Sequence, residues 1–333
     1  MKLSCVFAPK MDTPDHIATA EALGYERAWI FDTPHQSPDV FMILARAAER
    51  TTRIGLGPGV LVPSLRHPIA AASATATLVT MAPGRIAVAF GTGFTARQAM
   101  GQRALPWDYV ARYILAYRGL LRGEVVTWSG AQIKLFPCQD DLAHIASDVP
   151  ILLSALGPKG DSIARSLGLD GLMSFGSPVP GMVDFDRSVL QVGGTVLHPD
   201  EPLDAERVRL AAGPAWAITY HAAHDFQGGL DAVRAIPGGN AWAEVIERSP
   251  EDRRHFDIHK GHLMYLNEAD HAAWAAGGSQ IVPDVTFSGD PGRLRALMDE
   301  YINQGVSELA IMTAGPDIPG ELKAFAQALD VAL

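Results

Sequence analysis

Asp32 and His35, a Gly-Pro-Lys-Gly turn at 157–160, two glycine-ended apolar runs and a cluster of histidines are the residues of this 333-residue chain that can do chemistry. The runs are 53–63, RIGLGPGVLVP, and 84–93, GRIAVAFGTG. Apolar runs of that length bounded by Gly and Pro read as strands buried on both faces. Glycine at a strand's carboxyl end lets another backbone, or a flat ligand, come close. A helical stretch at 67–80 separates the two runs, so together they predict a βαβ unit with a ligand floor at its carboxyl edge. The turn at 157–160 opens a predicted helix, where free N–H groups and the helix dipole favour a phosphate. Lys159 adds a point charge there; a plain turn with proline at the first helical position is the alternative. His35 has an unperturbed pKa near 6.5, suited to acid–base work, although a solvated loop histidine is as good a reading. Asp32 can equally be a loop cap.

Six of the eleven histidines fall between 221 and 271: His221, His224, His255, His259, His262 and His271. His255 and His259 share one face of a helix, a spacing that can bind a metal, but the segment lacks the glutamate of a zinc-hydrolase signature. The expectation is no metal, with His259 and His262 presented to a substrate by a lid. Trp216, Trp242 and Trp274 read as packing.

The elements that position these residues alternate. Strand signals fall at 3–8, 27–31, 54–60, 85–90, 150–154, 171–174, 213–220 and 308–313. Helical stretches lie at 14–23, 39–50, 67–80, 107–121, 158–167 and 321–329. A hairpin at 123–135 turns at Ser129-Gly130. Eight βα units predict an α/β fold, a (β/α)8 TIM barrel spanning 1–333 as a single domain. The long stretch 221–280 reads as an insertion at the barrel mouth. A chain of this length can bury a large core, and 48% apolar residues argue against disorder. A net charge of −10 argues against a nucleic-acid surface. No apolar run approaches a membrane span, and the first apolar stretch is too short for a signal peptide. Two cysteines, Cys5 and Cys138, make no disulfide framework, so the cytoplasm is expected, with Cys5 a buried thiol.

Five segments resemble the luciferase-like monooxygenase superfamily, which includes bacterial luciferase and the coenzyme F420-dependent oxidoreductases, the methylenetetrahydromethanopterin reductase-like branch among them. They are 25–32 (YERAWIFD), 49–57 (ERTTRIGLG), 85–93 (RIAVAFGTG), 155–159 (ALGPK) with Asp170-Gly171, and 287–291 (FSGDP) with 305–309 (GVSEL). The resemblance implies a barrel holding coenzyme F420 (a deazaflavin) or FMN at the carboxyl ends of its strands. It implies a cis peptide at Gly59-Val60 that bulges against the coenzyme ring. Gly91, Thr92 and Gly93 would flank the ring edge or side chain. Ser154, Gly157, Pro158, Lys159, Gly160, Ser174 and Gly176 would surround the phosphate, and Asp32 would lie near the ring. Thr33 stands where several deazaflavin enzymes have histidine. Phe94 stands where the sugar-phosphate branch has its proton donor, so sugar-phosphate oxidation is not expected. The expected function is hydride transfer to or from a small, mostly apolar substrate, suggested by Phe94, Leu105, Pro106 and Trp107. A homodimer and a separate reductase supplying reduced coenzyme are expected partners. A reduced-FMN-dependent monooxygenase is the alternative. A non-enzymatic flavin-binding barrel is a further one, and a metal-dependent barrel hydrolase is disfavoured because its early strands should end in His or Asp.

Overall fold

The computed structural model describes residues 1–136 and 148–330; Cys138 lies outside the described residues. Eight parallel strands close a barrel. They are β1 (Lys2–Phe7), β2 (Arg27–Ile30), β3 (Gly55–Leu61), β4 (Val88–Phe90), β7 (Ile151–Ser154), β8 (Gly171–Phe175), β9 (Arg187–Gly193) and β10 (Glu308–Met312), each beside its chain neighbour, with β10 pairing back to β1. The short strands β5 (Val126–Trp128) and β6 (Ala131–Ile133) form a separate antiparallel hairpin. Ser129 and Gly130 both have positive φ, the conformation two-residue hairpin turns require. Helices Thr13–Ala22, Val40–Arg50, Pro68–Met81, Trp107–Leu121, Pro158–Ser166 and Ile318–Ala328 lie close to their expected places.

The seventh barrel strand is the exception. It is Arg187–Gly193, whereas 213–220 is helical, in helices Glu206–Trp216 and Ile218–Phe226. Val208, Ala212, Trp216 and Tyr220 are buried in the insertion's own core, so this helix pair is apolar enough to mimic a buried strand. Only a 3-10 turn, Pro180–Asp184, joins β8 to β9, so no helical stretch announces the true strand. The helices between β9 and β10 therefore begin at Glu206, ahead of 221.

The barrel interior is filled by side chains, among them Val6, Trp29, Ala87, Ala89, Leu152, Met173, Val189 and Met312. At the amino-terminal end, Trp29 Nε1 donates to Glu308 Oε1 (2.8 Å), and the Arg27 guanidinium sits 5.3 Å from the indole. Arg27 also donates to the carbonyls of Leu56 (3.1 Å) and Arg85 (2.8 Å). Facing these two large side chains, β3 carries glycine at 55, 57 and 59. A Cβ at Gly55 would lie 2.6 Å from Arg27 Cζ, and one at Gly59 would lie 2.9 Å from Trp29 Cε3. A Cβ at Gly57 would lie 2.1 Å from the Ala87 carbonyl oxygen and 3.0 Å from Trp29. We expect Gly57→Ala to destabilise the protein by about 3 kcal/mol in urea unfolding, since neither backbone nor a fully buried indole can retreat cheaply. A loss near zero would mean that β3 shifts freely.

Candidate active site

The carboxyl ends of β2 and β3 set up the polar part of the mouth. Asp32, just past β2, is 3% exposed. Arg66, in the loop after β3, forks between two carboxylates. One nitrogen bonds Asp32 Oδ2 and the other bonds Asp39 Oδ2 at 2.5 Å. Asp39 also caps helix Val40–Arg50 by accepting from Phe41 N and Met42 N. The Arg66 carbonyl accepts from Tyr113 Oη (3.0 Å). The fork thus ties two loops and a helix start together. Asp32 Oδ1 is buried and has no partner in good hydrogen-bond geometry, although the Val62 N–H lies close enough to the carboxyl to favour its charged form slightly. Burial lifts the Asp32 carboxyl above its usual range, and the bond from Arg66 opposes that lift without cancelling it. No motif marks Arg66; its spacing from Asp32 shows nothing in one dimension.

The β3 end bulges. The Gly59–Val60 peptide is cis, where the resemblance implied it. The pairing to β4 jumps from Gly59↔Ala89 to Leu61↔Phe90, which leaves Val60 unpaired. Gln191, on β9 across the barrel, donates through Nε2 to the Gly59 carbonyl at 3.3 Å; this residue gave no sequence signal. Gly91 lies against the bulge, since a Cβ there would sit 2.8 Å from Val60 Cγ2 and 3.6 Å from Ser154 Cβ. Val60, Gly91 and Ser154 therefore meet at one patch. The Gly91 N–H is already used by the Leu61 carbonyl (3.0 Å), and Thr92 is half-buried beside it. Gly93, at φ +74°, starts helix Phe94–Gln98.

Gly157 precedes helix Pro158–Ser166, where no side chain caps the first N–H groups. A Cβ at Gly157 would meet nothing within 4 Å, and Lys159 is exposed, so this helix start is open. Gly160 is packed against Ala155 and Trp107. Ser174 and Gly176 are committed elsewhere. Ser174 Oγ donates to the Ser177 carbonyl (2.6 Å), and the Gly176 N–H donates to the Gln191 carbonyl (2.8 Å). They shape the wall and offer no free donor.

The insertion contacts the loops of this mouth. Phe226 stacks on Phe94 with ring centroids 3.8 Å apart. Gln36, past β2, accepts from Gly261 N (3.1 Å) and donates to the His262 carbonyl (3.3 Å). Met264 and Leu263 pack on the interior cluster that contains Trp29. His35 is exposed at this rim, and both crowding and the nearby His259 hold its pKa below the usual value. His259 and His262 are buried, at 3% and 5% exposure, and gather with His221 inside the insertion. Burial holds both pKa values low. Asp225 receives bonds from His224 and His259; burial pushes its carboxyl up, but these bonds outweigh it and hold the pKa at about 2. A hollow of about 600 Å3 lies between helix Trp107–Leu121 and the hairpin, and none of the proposed coenzyme residues lines it.

The sequence model of the luciferase-like monooxygenase family matches residues 8–308, and the chain belongs to that family. It is 27% identical over 324 residues to the 5,10-methylenetetrahydromethanopterin reductase of Methanolobus tindarius, covering 95% of this chain and 94% of that protein. Its fold matches the coenzyme F420-dependent tetrahydromethanopterin reductase of Methanopyrus kandleri with a TM-score of 0.69, at 19% identity over 99% of each chain. It also matches the oxygenating constituent of 3,6-diketocamphane monooxygenase from Pseudomonas putida, a type II Baeyer–Villiger enzyme solved with FMN, with a TM-score of 0.60 at 16% identity, covering 100% of this chain and 99% of that one. The protein is an oxidoreductase of the luciferase-like kind. No helix among the described residues is long and apolar enough to cross a membrane.

The Arg66 fork yields a pH test. Arg66→Gln leaves the Asp32 carboxylate buried without its counter-charge, and we expect a loss of about 3 kcal/mol at neutral pH. Without Arg66 the folded-state pKa of Asp32 rises further above its unfolded value. The variant's stability is then retained at low pH, where Asp32 is protonated in both states, and lost as pH rises from the unfolded carboxyl's value, about 3.9, through that raised pKa. Denaturant unfolding across this range checks it. A variant that tracks the parent protein at every pH would show that the pair carries no such charge balance.

Proposed function

We propose that this protein uses coenzyme F420 to move a hydride to or from a small, mostly apolar organic substrate. The observation that carries the proposal is one patch of the mouth. There the Val60 bulge, the close-packed Gly91 and the partnerless, buried Asp32 Oδ1 lie at the ends of adjacent strands. A flat ring fits against a bulge whose neighbour has no side chain, and a buried orphan acceptor fits a hydrogen-bond donor on that ring. The deazaflavin supplies the hydride chemistry when bound.

The chain's own residues bind, orient and exclude water. The open helix start after Gly157 and the Lys159 ammonium suit a phosphate. Gln191 holds the Gly59 carbonyl, and Arg66 holds Asp32 in place. His35, neutral at pH 7 because its pKa is lowered, can accept a proton at the rim. Phe94, Phe226 and Leu105 give the substrate side an apolar wall. We assign the insertion as a lid. His259 and His262 act in it as positioning residues, because both rings are buried among other insertion side chains. A cytoplasmic homodimer fed with reduced coenzyme by a separate reductase completes the proposal.

Fluorescence titration of the purified protein with coenzyme F420 and with FMN separates the options. We expect F420 to bind at least tenfold more tightly. The reverse preference would move the assignment to a reduced-FMN-dependent monooxygenase, and binding of neither would sink the coenzyme site. Lys159→Glu should weaken coenzyme binding by tenfold or more, about 1.4 kcal/mol. Unchanged affinity would remove the phosphate from this turn.

A further inference from the structure

We propose that His221, His259 and His262 form a binding site for one divalent transition metal, zinc first, inside the insertion. One ring nitrogen of each lies within 4.8 Å of the other two. All three side chains are at least nine-tenths buried. His221 comes from helix Ile218–Phe226, His259 from the end of helix Arg254–His259, and His262 from the turn that follows.

The surrounding carboxylates decide which nitrogens are free. His221 Nε2 lies 3.1 Å from Asp270 Oδ1, and His259 Nε2 lies 3.2 Å from Asp225 Oδ2. Asp270 is fully buried and also accepts from Trp242 Nε1 (2.9 Å) and Asn267 N (3.0 Å). A carboxylate accepts, so each Nε2 carries the proton and each Nδ1 keeps a bare lone pair. His221 Nδ1 faces His262 Nδ1 at 2.8 Å. His259 Nδ1 is buried with no partner. An imidazole with one nitrogen held by a carboxylate and the other bare and buried is the arrangement metal-bound histidines show. Two of the three histidines have it. The third, His262, needs only to present its Nδ1 lone pair in place of its proton.

The metal would remove a conflict that the protein alone leaves unresolved. Without it, His262 can donate to His221 Nδ1, but nothing donates to His259 Nδ1. Three imidazole nitrogens suit zinc, and a tetrahedral site with zinc–nitrogen distances of about 2.0–2.1 Å needs its ligand atoms about 3.3 Å apart. The 2.8 Å contact must open slightly to reach this. Three protein ligands leave one position for water. The site would join two helices to the 260–264 turn, the same turn that Gln36 holds at the barrel mouth. A metal there would fasten the insertion over the mouth.

The test uses the full chain, purified without a histidine tag. Metal analysis should find one zinc per chain. Protein stripped by a chelator should bind zinc with a Kd below about 10 μM in competition with a chromophoric chelator. Cobalt added instead should give the absorption of a tetrahedral site. His221→Gln should weaken zinc binding by at least a hundredfold. If that variant does not fold, Asp225→Asn serves in its place, and we expect it to weaken binding by ten- to a hundredfold, as loss of a supporting carboxylate does. A Kd weaker than 10 μM for the parent protein, or equal zinc affinity in a folded variant, would overturn the site. None of these readouts depends on the coenzyme, so they stand whether or not the proposed activity does.

Discussion

One indole inside the barrel governs the third strand and, through it, the mouth. Trp29 is fully buried, and its Nε1 must find a partner there; Glu308 at the amino-terminal end of β10 provides it. With Arg27 beneath it, Trp29 takes the space that side chains of β3 would otherwise fill. Glycine at 55, 57 and 59 is the consequence. A strand with no inward side chains packs close and contributes backbone to the interior. Its next residue, Val60, is where the pairing breaks and the chain swells toward β4. The bulge at the mouth thus begins as a packing solution lower in the barrel.

Above that floor the polar groups are few and mutually held. Arg66 opposes the effect of burial on Asp32, and Asp39 holds the other arm of the Arg66 guanidinium. Gln191 reaches across the barrel to the Gly59 carbonyl. In a dry environment each such bond is worth more than in water, and an unpaired atom costs correspondingly more. Asp32 Oδ1 and His259 Nδ1 are two of the buried atoms that break that rule, one at the mouth and one among the insertion's histidines.

Seven of the eight barrel strands were legible because each is a short apolar run between turn residues, which burial on both faces demands. The eighth was hidden by a rival. Residues 213–220 have a strand's composition, but the insertion needs a helix pair buried on most of its surface. Short apolar runs do not distinguish the two. At the proposed site, Gly91, Gly157 and Asp32 stand out in the sequence because glycines and a polar residue mark apolar strand ends. Arg66, Gln191, Asp225 and Asp270 were not. Each is one polar residue among many, and only the closed barrel and the folded insertion bring it to its partner.

The insertion explains why its histidines cannot be judged by helical spacing alone. His255 and His259 share a helix face, yet His255 packs half-buried against Gly101, while His259 gathers with His221 and His262. The grouping is set by a second hydrophobic core, in which Trp216, Tyr220, Trp242 and Trp274 pack together. That core stands apart from the barrel's, so the insertion needs its own means of staying in register with the mouth. Phe226 on Phe94, Gln36 on the 261–262 backbone and Met264 beside Ser37 all act on loops that follow β2 and β4. None of these contacts touches Gly157, where a Cβ would meet open space. Contacts on that side alone leave the helix start at Gly157 open, as the proposed phosphate site requires.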